Sequence, residues 1–331
     1  MSLHLHGVGH FHPENELTNR FLEELDIGTT ESWIVERVGI RSRRTTLPLD
    51  YIRTTRNRDP RAAAEAALYD TAELGRRAAE RALTSAGIRR SDVGMVLAGS
   101  CATDVTTPAE ACEIARRLGV AAPSFDVASA CTSFLAQLTL LSKMRPEALP
   151  PFVLVVTPEA LTRSVDYADR STAVLFGDGA AAAVVSARVP GRARILHADL
   201  ASDPAAADKV RIPRVGHFAQ EGRAVQMFAI RKSLEALGRL EGLRGDDDRP
   251  LHWIGHQANL RVLQTVSERA GLDPARHHSN VTLYGNTGAA SAPSVLSQVF
   301  EKFGPEDDVA LVGVGAGLTW GGALLRFEAA A

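Results

Sequence analysis

The feature that most limits the fold of this chain is a repeated alternation between short apolar runs and stretches with helical periodicity. Apolar runs at residues 93–98, 152–156, 180–185, 253–255 and 309–314 have the length of buried strands. Between them, residues 71–86, 109–118, 133–143, 225–240, 260–270 and 292–303 gather apolar side chains on one helical face. This alternation predicts an α/β architecture with helices covering a largely buried sheet. Abundant alanine and only 5% aromatic residues suit helices lying close against that sheet. His4 and His6 alternate with apolar neighbours and fit an N-terminal strand.

The two halves are loosely alike. Each has a strand ending in a candidate catalytic residue, a helix, and later a Gly-rich strand: FGDGAAAAVV in the first, GVGAGLTWGGALLRF in the second. A division inside SARVPGRA follows, with halves of 1–188 and 189–331. The polar stretch 244–250 (RGDDDRP) reads as an exposed loop.

With 331 residues, 45% of them hydrophobic, the chain can bury a substantial core. A net charge of −2 gives no reason to expect nucleic acid or an anionic membrane as partner. The apolar runs are far shorter than a bilayer requires. MSLHLHGVGHFHPENE lacks the cationic start and long apolar segment of a signal peptide, so a cytoplasmic location is expected. The three cysteines, Cys101, Cys112 and Cys131, are odd in number and include no C-x-x-C pair. Neither a disulfide framework nor a metal site is expected from them. His10, His12, His277 and His278 show no ligand spacing either.

Three segments carry chemistry. In SFDVASACTSFLAQLTLL an apolar strand ends in small residues, then Cys131 precedes an amphipathic helix. A thiol at a helix N-terminus is biased towards thiolate by the macrodipole and free N–H groups, and Thr132 or Ser133 can cap that helix. In HWIGHQANLRVLQTV a strand ends at His256, and Asn259 precedes the next helix. In VTLYGNTGAASAPSVLSQVF, Asn286 occupies a Gly-flanked turn. Taken singly, each has an ordinary reading as a buried thiol, a core histidine and a turn asparagine.

Together they resemble the β-ketoacyl-[acyl carrier protein] synthase III family, a thiolase-like group of condensing enzymes. The resemblance runs through SWIVERVGIRSR, DVASACTSFLAQL, FGDGAAAAVV, HQAN, GNTGAASAP and GVGAGLTWGGALLRF, and through the order and spacing of Cys131, His256 and Asn286. It implies a thiolase-like five-layered αβαβα fold of two pseudo-duplicated halves, normally a homodimer. By resemblance, Cys131 accepts an acyl group from a coenzyme A or carrier-protein thioester. His256 and Asn286 then hold the carbonyl of a malonyl thioester as carbon dioxide leaves. The oxyanion hole falls to the backbone N–H of Cys131 and of Ala316, and no cofactor is needed beyond the thioester substrates. Trp33 and Arg163 match the pair that brackets the adenine of coenzyme A. Arg37 matches a phosphate contact, and Asn259 a pantetheine contact. Acyl carrier protein is the implied partner.

Two features depart from the family pattern. Residues 47–68 are longer and more basic than the usual connection, which reads as a surface excursion or a carrier-protein contact. In CATDVTTPAEAC, the loop with Thr106 matches one that reaches the partner's acyl pocket, and its small residues predict room for medium or long primers. A secondary-metabolic relative joining two acyl chains, or a plain acyltransferase, is the alternative reading. A silent carrier-protein-binding subunit is the third, which retention of all three polar residues argues against.

Overall fold

The computed structural model describes residues 3–329. Nine strands form the main sheet: β1 Leu3–Phe11, β2 Val93–Ala98, β3 Ser124–Asp126, β4 Phe152–Glu159, β5 Gly179–Ser186, β6 Ala193–Ser202, β7 Leu251–Gly255, β8 Asp308–Gly315 and β9 Thr319–Phe327. Six helices pack on it: α1 Thr71–Ala86, α2 Glu110–Leu118, α3 Ser133–Lys143, α4 Gly222–Gly242, α5 Leu260–Arg269 and α6 Ser291–Val299. The strand order is β7-β8-β9-β6-β1-β5-β4-β2-β3.

That order is two copies of one pattern. In the first half β1 pairs antiparallel with β5, β5 antiparallel with β4, β4 parallel with β2, and β2 parallel with β3. In the second, β6, β9, β8 and β7 repeat the same senses, and a single parallel bridge from Trp253 to His277 stands where β3 stands in the first. The helices fall at the same points of each half. Residues 188 and 189 lie between β5 and β6, and the halves meet where Leu3, His4 and Leu5 pair antiparallel with Ile195, Arg194 and Ala193.

Burial alternates along the strands as a two-residue period requires. Ala183 and Val185 of β5 share a core with Leu135, Leu138 and Leu141 of α3, Val295 and Leu296 of α6, and Leu311 of β8. The intervening Ala182 and Val184 face Ala78, Ala82 and Ile114 of α1 and α2. In the other half Ala310 and Val312 of β8 face Leu237 and Leu240 of α4 and Leu263 of α5. Five layers result, with α3 and α6 in the middle: a thiolase-like αβαβα fold.

Local chemistry sets the element ends. Asp70 caps α1 by accepting from Glu73 N, and Gly87 closes it in the left-handed region. The alanine face of α1 lets the backbone of β1 approach closely, since a Cβ on Gly9 would lie 2.3 Å from Ala78 O. Leu3 and Leu5 are buried and His4 and His6 half-buried, the alternation expected of β1.

Two sequence readings change. Residues 47–68 are no surface excursion: they form helices Leu49–Thr55 and Pro60–Ala66, and Leu47, Ile52 and Ala63 are fully buried. Asn57, also buried, donates to Arg163 O and Val165 O at 2.8 Å. The loop 244–250 is partly anchored as well. Arg244 donates to Asp308 Oδ2 at 2.9 Å, and Asp247 pairs with Arg326 at 2.6 Å. Among the described residues no helix is long and apolar enough to cross a membrane.

Candidate active site

Cys131 sits in the turn between β3 and α3. Ala130 takes a positive φ of 44°, a conformation side chains avoid, and two hydroxyls that follow it hold the turn there. Ser133 Oγ accepts from Ser129 N at 2.9 Å and donates to Ala130 O at 2.6 Å. Thr132 donates to Ser129 O at 2.7 Å and meets Thr319 Oγ1 at 2.8 Å. Both hydroxyls fix the Cys131 turn; Thr132, at the N-cap position, makes no capping bond.

His256 follows directly on β7, where its N–H donates to Val312 O at 2.8 Å. Its Nδ1 lies 2.7 Å from Ser291 Oγ at the start of α6, which leaves Nε2 for the pocket. Cys131 and His256 line one pocket with Phe134, Ala289, Pro293 and Gly313, and its free volume is about 10 Å³. Asn286 stands in the turn before α6. Gly285, at φ 64°, is required there, because a Cβ would meet Leu175 O at 2.6 Å. Asn286 Oδ1 accepts from Gly288 N at 2.9 Å, so its Nδ2 is the half left to donate.

The Gly315–Gly317 turn presses on the nucleophile. A Cβ on Gly315 would meet both the N and Cβ of Cys131 at 3.2 Å, which brings Ala316 beside it. Ala316 is itself held by Thr319 Oγ1, which donates to its carbonyl at 3.1 Å.

Two residues unsuspected in the sequence complete the site. Cys101 Sγ lies 3.8 Å from Cys131 Sγ. Hydrogen bonding from Cys101 and the charge of His256 outweigh burial and hold the Cys131 thiol well below its ordinary range. The same bond and burial push the Cys101 thiol up. Glu159, fully buried at the end of β4, accepts from Ser100 Oγ at 3.0 Å, Cys101 N at 3.0 Å and Ala289 N at 2.8 Å. Burial pushes its carboxyl up to about 8. It ties the Cys101 segment to the turn that carries Asn286. No periodicity or spacing in VTPEALT marks it; only its apolar surroundings, seen in the fold, do.

Outside the pocket, a cleft of about 560 Å³ is lined by Cys101, Thr106, Arg61, Arg163 and Arg214. Thr106 accepts from Arg214 at 3.0 Å in this cleft. Phe134 lines the separate space next to Cys131.

Arg163, expected to bracket an adenine with Trp33, is engaged elsewhere in the fold. Arg163 is only 7% exposed and is ion-paired with Asp104, whose carboxylate also accepts from Thr71 N at 2.6 Å. The guanidinium carbons over Trp33 are those of Arg170 at 5.2 Å and Arg37 at 5.9 Å from the ring centre. Asn259 caps α5, its Oδ1 accepting from Val262 N at 2.9 Å, so only Nδ2 remains for a ligand. Among the described residues no cluster of three or more His, Cys, Asp or Glu side chains is arranged to hold a metal.

The family model described as 3-oxoacyl-[acyl-carrier-protein] synthase III matches residues 125–204, and the model of its C-terminal part matches residues 250–327. A β-ketoacyl-[acyl-carrier-protein] synthase III from Oceanobacillus iheyensis is 33% identical, covering 99% of both chains. The crystal structure of 3-oxoacyl-(acyl carrier protein) synthase III from Pseudomonas aeruginosa superposes with a TM-score of 0.84 at 32% identity, covering 100% of both chains. The priming β-ketosynthase of the R1128 polyketide pathway gives a TM-score of 0.81 at 28% identity, covering 98% of this chain and 96% of that one.

Proposed function

Because the chain belongs to the β-ketoacyl-[acyl-carrier-protein] synthase III family, we propose that it works through Cys131, His256 and Asn286. It is a condensing acyltransferase that makes a 3-oxoacyl thioester from an acyl and a malonyl-type thioester. The Cys131 thiolate attacks the acyl thioester; the oxyanion is met by the N–H groups of Cys131 and Ala316. The malonyl thioester of an acyl carrier protein then binds with its carbonyl between His256 Nε2 and Asn286 Nδ2. Donors there stabilise the enolate as carbon dioxide leaves, and the carbanion attacks acyl-Cys131. Loss of carbon dioxide supplies the carbanion, so the cycle uses no cofactor beyond the thioester's own arm. Trp33 and Arg37, with Arg170 in place of Arg163, offer the platform for that arm's nucleotide, and Asn259 Nδ2 a contact for pantetheine.

The observation that carries the reading is the shared pocket of Cys131 and His256, with the imidazole oriented by Ser291. A homodimer is supported by the edge strand β3, where Phe125 is 42% exposed, and a cytoplasmic setting by the unpaired thiols. The test is intact-mass detection of an acyl adduct on Cys131 across acyl thioesters, with Cys131→Ser as control. Asn286→Ala should retain self-acylation but lose condensation by roughly 10²–10³-fold, the scale of one lost oxyanion donor. Equal loss of both half-reactions in a folded variant would refute the assigned roles.

A further inference from the structure

The condensation uses one thiol, yet the site holds two. We propose that Cys101 and Cys131 form a peroxide-responsive pair, in which Cys101 traps oxidised Cys131 as a reversible disulfide. The sulfurs are 3.8 Å apart and face each other directly, against about 2.05 Å in a disulfide. The environment gives the two thiols different work. Cys131, held towards thiolate, is the one that attacks; Cys101, held towards the neutral thiol, keeps a proton to give up later. Access is also divided. Cys101 lines the outer cleft, whereas Cys131 lines the inner pocket, so a small uncharged oxidant entering the cleft meets the pair at their junction. Cys112 stands apart, with its thiol donating to Ser124 O at 3.2 Å on another element.

The chemistry balances with a hydroperoxide as oxidant. The Cys131 thiolate attacks the peroxide, the O–O bond breaks, and sulfenic acid forms as hydroxide leaves. Cys101 sulfur then attacks that sulfur; the S–S bond forms, the S–O bond breaks, and the oxygen leaves as water with the Cys101 proton. A thiol reductant reverses the step by exchange. Without Cys101, the sulfenic acid has no resolving partner and further peroxide carries it to sulfinic acid.

The proposal rests on Cys131 being the reactive thiolate, which acylation of the fully reduced enzyme tests on its own. The experiment treats reduced Cys112→Ser protein with hydrogen peroxide, then alkylates, maps peptides and measures self-acylation before and after dithiothreitol. Expected are a mass lower by two hydrogens, a Cys101–Cys131 cross-linked peptide, and at least tenfold loss of acylation that the reductant restores. Adding Cys101→Ala should give dioxygenated Cys131 and a loss that the reductant does not restore. Oxygenated Cys131 without the cross-linked peptide, or equal recovery in the Cys101→Ala protein, would overturn the pair.

Discussion

Glu159 shows how a single buried carboxyl can organise a site it does not touch chemically. Its two oxygens collect N–H groups from Cys101 and Ala289, segments that bring the second thiol and the Asn286 turn together. Those donors favour the anion, yet burial wins and lifts the carboxyl to about 8. The sign follows. The folded state binds this proton more tightly than the unfolded one, so stability from this group is full below about 4.5 and is lost as pH rises towards 8. Glu159→Gln keeps an acceptor for both N–H groups but cannot ionise. Urea titrations should therefore find the variant gaining stability relative to wild type as pH rises from 5 to 8, and a constant difference would contradict the shifted carboxyl. Glu159→Ala leaves both N–H groups buried without partners, and about 1–3 kcal/mol for each is the expected loss. The contrast with Cys131 is instructive. Cys131 stands in a small-residue turn before a helix, His256 follows a strand and Asn286 fills a Gly-flanked turn, signatures written in neighbouring residues. Glu159 and Cys101 depend on contacts across the fold, and their neighbours in sequence say nothing about them.

At the scale of elements, the legible helices are those whose ends carry their own signals. The helix over 71–86 is bounded by Asp70 and Gly87, and its limits in the structure are those read from the sequence. The strand β6 had no such signature, since Arg194, His197 and Asp199 interrupt its apolar residues. Residues 47–68 misled because their charged residues, Arg53, Arg58 and Arg61, face outward and mask a buried stripe. That stripe is testable. Ile52→Ala should cost about 2–5 kcal/mol in urea unfolding, as for a core residue; a change within about 0.5 kcal/mol would return the segment to the surface. Helix α3 follows directly on the nucleophile's turn and contributes, at Phe134, a wall of the pocket around Cys131. The free volume of about 10 Å³ there has room for about one water, so acetyl should outcompete decanoyl as primer. Phe134→Ala should shift kcat/KM towards longer primers by tenfold or more, at about 0.8 kcal/mol per methylene buried. A wild-type preference for decanoyl would show that the pocket opens in ways the resting structure does not display.

For the whole molecule, histidines of both halves are packed into the fold, and their burial makes stability depend on pH. His12 stacks on Tyr284 at 3.8 Å and His277 on Trp253 at 4.5 Å, while His278 meets His252 Nδ1 at 2.9 Å. In these contacts the histidines act as packing residues. Burial lowers His12 to about 3 and His10, His277 and His278 to about 4, and holds His4 and His6 below the ordinary 6.5. Below 6.5 the unfolded chain takes up these protons while the folded one refuses them, so acid favours unfolding. Three buried carboxyls act the other way: Glu159, Glu110 at about 7, and Asp178, which accepts from Thr46 N and Thr162 N at 2.7 and 2.8 Å. Fewer groups oppose than favour the loss, and each pK unit is worth about 1.4 kcal/mol. The urea midpoint should therefore fall steadily as pH drops from 6.5 to 4.5. His277→Phe, which keeps a ring against Trp253 but cannot charge, should flatten that slope while matching wild type near pH 8. A midpoint that holds or rises across this range would mean that the carboxyls outweigh the histidines.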